Sequence, residues 1–66
     1  MQKEKYTIRE WRRLKEITQD DLANELNVNR NTIAMWEKKP EKIPVGKMLM
    51  IADIFGVSIY EINIRG

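Results

Sequence analysis

Residues Thr18 to Lys38, TQDDLANELNVNRNTIAMWEK, decide how this chain folds. Thr18 followed three residues later by Asp21 marks a helix start: the hydroxyl accepts from an orphan backbone N–H, and the acid opposes the positive helix end. The helix so opened runs from Gln19 to Leu26 and turns Leu22, Ala23 and Leu26 to one side. Asn27 is, after glycine, the residue best suited to the left-handed conformation that stops a helix, and Val28 supplies the apolar contact that accompanies such a stop. Asn29 then caps a second helix, Arg30 to about Lys38, in which only Ile33 and Trp36 make an apolar stripe. So narrow an apolar face puts this helix on the surface, with Arg30, Asn31, Ala34 and Met35 turned outward.

On the N-terminal side, Thr7 and Glu10 form a T-x-x-E capping box, and a helix over about Ile8 to Lys15 carries Ile8, Trp11 and Leu14 at its core spacing, with Ile17 as a further candidate. Met1 to Tyr6 is polar and without period, and reads as a mobile arm whose Lys3 and Lys5 could touch a phosphate. On the C-terminal side, KPEKIP (39–44) holds both prolines and reads as a loop. Val45 to Phe55 is the next helix, with Met48, Ile51, Ala52 and Phe55 inward, Gly56 at its stop, and a start that Val45 and Gly46 cap poorly. Ser58 with Glu61 makes a third box, predicting a short helix over Ile59 to Ile62, and the tail 63–66 is left as helical or extended. The expectation is a single all-α domain over residues 1–66: five compact helices, an arm at 1–6, and the 18–38 pair at the centre.

Composition narrows the chemistry. The 66 residues include no cysteine and no histidine, which removes disulfides, thiolate nucleophiles, imidazole bases and nearly every zinc or iron site. Ten carboxylates are scattered over helix starts and exposed faces, where capping and solvation account for them, so no enzyme and no cofactor, metal or small-molecule ligand is expected. A net charge of +2 allows a polyanionic partner without demanding one. No apolar run approaches the ~20 residues that span a bilayer, and MQKEKY lacks the apolar core of a signal peptide, so a soluble cytoplasmic protein is the default.

Two helices joined by a tight turn, the first bracing and the second polar on its outer face, match the helix-turn-helix. There the second helix lies in the DNA major groove and offers its N-terminal side chains to base edges. The coincidence of a small residue (Ala23), a turn residue (Asn27), a cap and a polar face within about twenty residues carries the weight. The run IREWRRLKEITQDDLANELNVNRNTIAMWE (8–37), a later proline, and MLMIADIFGVSIYEI (48–62) resemble the Cro and phage-repressor helix-turn-helix family, also called lambda-repressor-like or Xre-type. Two positions depart from its pattern: Asn27 stands where the family commonly has glycine in the turn, and Lys38 and Lys39 where a glycine commonly follows the third helix's glutamate.

The resemblance implies a transcriptional regulator that binds double-stranded operator DNA. Carried over by position, it implies that Gln19 holds a phosphate, in agreement with the anion-binding character of a helix start. It implies that Arg30, Asn31 and Met35 read bases: arginine suits guanine O6 and N7, asparagine suits adenine, and methionine presses on a thymine methyl. Asn29 and Thr32 serve as caps and phosphate contacts, and Arg12 with Glu37 matches a partly buried ion pair that, in some members, ties the helix begun at Ile8 to the helix begun at Arg30. Lys38, Lys39 and Lys42 follow the reading helix where a loop passes the sugar-phosphate backbone. Trp11 and Trp36 are stacking aromatics or core residues, and their apolar spacing favours the core.

A homodimer is the natural state on two half-sites. Met50, Ile54, Tyr60 and Ile64 either make a self-complementary apolar patch or complete the core. Because the chain ends with the fold, it looks closer to a Cro-type or stand-alone small regulator than to a two-domain repressor. The competing functions are the antitoxin of a toxin–antitoxin pair and a protein-interaction adaptor that reuses the fold.

Overall fold

The computed structural model describes residues 5–64, and the arm residues Met1 and Lys3 and the tail residues Arg65 and Gly66 lie outside them. Among the described residues four α-helices follow one another: α1 (Ile8–Leu14), α2 (Gln19–Leu26), α3 (Arg30–Lys38) and α4 (Val45–Phe55). Among the described residues, no helix is long and apolar enough to cross a membrane.

The helix ends explain the chain path. Thr7, Thr18 and Ser58 each make a full capping box, in which the hydroxyl takes the N–H three or fewer residues on and the acid takes the N–H of the cap. Asn29 opens α3 by accepting the Asn31 N–H at 2.8 Å, while α4 starts at Pro44 with no side-chain cap. Three stops share one geometry. Glu16, Asn27 and Gly56 have φ of 58°, 57° and 72°, and the residue after each donates its N–H back to the helix: Ile17 to Arg12, Val28 to Ala23, Val57 to Ala52. Ile17, Val28 and Val57 then pack against the core, so each reversal is fixed by backbone bonds and apolar burial together.

The expected count of five helices is corrected to four. The chain over Ile59–Glu61 makes only a single 3-10 turn, as does Pro40–Lys42 within the expected loop. Ile62 is extended (φ −100°, ψ 123°) and pairs in parallel with Tyr6: Tyr6 N donates to Glu61 O at 3.3 Å, and Asn63 N to Tyr6 O at 2.8 Å. This bridge stops the turn from growing into a helix. It also corrects the expected arm at its inner end, because Tyr6 is held by backbone bonds and by its edge-on contact with Trp11, centroids 5.0 Å apart.

The core gathers Ile8 of α1, Leu22, Ala23 and Leu26 of α2, Ile33 and Trp36 of α3, and Met48, Ile51, Ala52 and Phe55 of α4. Each fully buried large side chain contributes about 1.5–3 kcal/mol. Pro40, Ile43 and Ile62 are buried as well, so the aperiodic 39–44 loop is part of the packing. Leu14, expected inward, is exposed: α1 stops at that residue, and Ile17 beyond the reversal packs against the core instead. α2 and α3 make the most extensive contact between any two elements, and the small Ala23, 3% exposed, lets them approach.

Candidate nucleic-acid interface

α3 is held from behind and bare in front. Ile33 and Trp36 sink into the core, while Arg30, Asn31 and Met35 are exposed, Met35 by 45%. Asn29 uses its side-chain oxygen on the Asn31 N–H and so acts as a cap, with its amide group still able to donate. Thr32 is half-buried beside it.

The outer face is not flat. Asn31, Ala34, Met35, Lys38, Lys39 and Lys42 line one concavity of about 380 Å³, so two of the three expected reading residues share a depression with all three expected backbone lysines. The third, Arg30, borders a second concavity of about 470 Å³ together with Arg13, Gln19 and Asp20. Arg30 Nε lies 3.8 Å from Asp20 Oδ1, with both side chains about two-thirds exposed. A pair so open to water is weak, leaving the guanidinium free to move to a better acceptor.

Behind this face sits a polar cluster. Arg12 Nε donates to Glu37 Oε2 at 2.6 Å and Arg12 Nη1 to the Ile17 carbonyl at 2.9 Å, with the two side chains only 11% and 6% exposed. Glu37 Oε1 also accepts from Gln19 Nε2 at 3.0 Å. One carboxylate thus ties α1, the start of α2 and the last turn of α3. The bond from Gln19 is absent from the sequence reading, and only the pairing of an amide at a helix start with an acid 18 residues on hints at it. It uses one of the two amide N–H groups. The other, together with the Gln19 and Asp20 backbone N–H groups that have no intrahelical acceptor, is free for an anion.

The tryptophans have structural partners. Trp36 is buried, and Trp11 donates its indole N–H to the Glu61 carbonyl at 2.8 Å while Lys15 Nζ lies 5.9 Å from its ring centroid. The four apolar residues expected at a subunit contact divide. Tyr60, 82% exposed, and Ile64 line a groove of about 440 Å³ with Val45, Ile43 and Met48. Met50 is exposed outside that groove, and Ile54 is half-buried against the core.

A helix-turn-helix family model matches residues 8–62, from the start of α1 to the bridge residue Ile62. The chain therefore belongs to the helix-turn-helix family of the lambda-repressor-like, Xre kind, whose members are DNA-binding regulators of transcription and not enzymes. No curated protein and no solved structure matches the chain.

Proposed function

We propose that the chain is a Cro- or repressor-like regulator that reads an operator in the major groove with α3. The observation that carries this reading is the outer face of α3: Arg30, Asn31 and Met35 exposed, with Lys38, Lys39 and Lys42 along one border. The only acid of that helix, Glu37, is turned inward onto Arg12 and Gln19, so nothing on the reading face of α3 repels phosphate. An adaptor would have no need of so uniform a face. Arg30 and Asn31 supply hydrogen-bond donors for base edges, Met35 an apolar contact, and Gln19, Asn29, Thr32 and the lysines the positioning contacts to the backbone. Tyr60 and Ile64 at the groove beside α4 support a homodimer, the arrangement that suits two half-sites about one helical turn apart.

Selection of bound duplexes from a random pool tests the reading. It is expected to return one half-site motif, repeated with two-fold symmetry, whose binding weakens steeply as salt rises. A pool that returns no motif, or binding indifferent to salt, would contradict it.

A further inference from the structure

We propose a phosphate notch on the flank of the DNA-reading face, in which Arg9 and Arg13 of α1 grip the backbone of the duplex that α3 reads; this rests on the DNA reading above. Arg9, Arg13, Lys38 and Gln19 surround a concavity of about 390 Å³ floored by the Arg12–Glu37 pair. Arg9 and Arg13 are four residues apart on one face of α1, and both are exposed. Among the described residues neither they nor Lys38 have an acid within ion-pair distance.

The local charge follows directly. Four cations face the notch against one acid, Glu37, and that carboxylate is almost fully buried and already engaged by Arg12 and Gln19. Arg13 also borders the neighbouring concavity that holds Glu16 and Asp20, but neither acid lies within ion-pair distance of it. The notch is therefore electropositive, and the start of α2 with its open N–H groups adds to this. Its location names the ligand. Lys38 and Ala34 line both this notch and the concavity of Asn31 and Met35, so the two are continuous across α3. A duplex seated on α3 carries its phosphodiesters along that border, and arginine forks are well matched to them.

The test is the salt dependence of binding of the whole chain to its selected duplex. Arg9→Gln/Arg13→Gln is compared with wild type and with Lys15→Gln, a cation just past the end of the same helix, held over the Trp11 ring. Each lost phosphate contact lowers the slope of log K against log salt by about 0.9. The affinity lost between 50 and 200 mM salt should thus shrink by about 3.5-fold per arginine and about 12-fold for the pair, with the preferred sequence and the melting temperature unchanged. A paired variant whose slope moves no more than that of Lys15→Gln overturns the notch while leaving α3 as reader. A wild-type slope of zero overturns both.

Discussion

Replacing Glu37 with alanine removes the acceptor of two side chains at once. Arg12 would keep only the Ile17 carbonyl, and its Nε, in a side chain 11% exposed, would lose its partner. Gln19 would lose its hold on the last turn of α3. Removing one member of a buried ion pair costs about 3–5 kcal/mol, and the residual access of solvent to Arg12 puts this case at the lower end, about 3 kcal/mol. Chains of this length have a total stability of roughly 3–10 kcal/mol, so the variant should stand near the edge of folding. For a domain this small the loss corresponds to a fall in Tm of about 12–24 °C. Thermal and urea unfolding followed by circular dichroism measure it. The paired replacement Arg12→Met/Glu37→Leu removes both charges together and should recover part of this loss, because apolar groups of similar volume substitute well for a buried pair, leaving about 1 kcal/mol for each of the bonds to the Ile17 carbonyl and from Gln19. A loss under about 1 kcal/mol for Glu37→Ala, or an apolar pair as unstable as the single variant, would refute the account of this cluster.

Two further perturbations examine the elements around it. Trp11→Phe keeps the ring against Tyr6 but deletes the donor to the Glu61 carbonyl; it should cost about 1 kcal/mol, and hydrogen exchange at the Asn63 amide, bonded across the bridge to Tyr6, should quicken. Glu16 holds a left-handed conformation that disfavours a side chain, so Glu16→Gly should raise stability by about 0.5–1 kcal/mol, whereas Asn27→Ala at the corresponding stop of α2 should lower it by about 1 kcal/mol; unfolding midpoints decide both.

The parts of the fold legible in the sequence are those specified by neighbours along the chain. α1, α2 and α3 begin where a side-chain cap indicates, and α2 and α4 end where a stop indicates, because a capping hydroxyl or amide, or an asparagine or glycine before a valine, acts within one turn of backbone. Glu16 escaped notice because glutamate has no preference for the left-handed region; only Ile17 behind it forms the apolar half of the stop. The rest depends on distant partners. The bridge of Tyr6 with Ile62 and the bond from Trp11 to Glu61 join the two ends of the chain, and no local period encodes them. Pro40 and Ile43 are buried from a loop without period for the same reason: their burial is set by the elements around them, not by their neighbours in sequence. In the candidate site, the outward direction of Arg30, Asn31 and Met35 followed from the narrow Ile33–Trp36 stripe. The linkage of Gln19 to Glu37 and the notch of Arg9 and Arg13 required three helices to be placed in space.

Whether α3 carries sequence information is decided by Arg30→Ala. With the duplex obtained by selection and a random duplex of equal length, binding is measured at one salt concentration for wild type and variant. A side chain that reads a base should cost about 1–3 kcal/mol on the selected duplex, roughly 5- to 150-fold in affinity, and far less on the random one. Equal losses on both duplexes would make Arg30 a backbone contact and contradict the assignment of α3 as the reading helix.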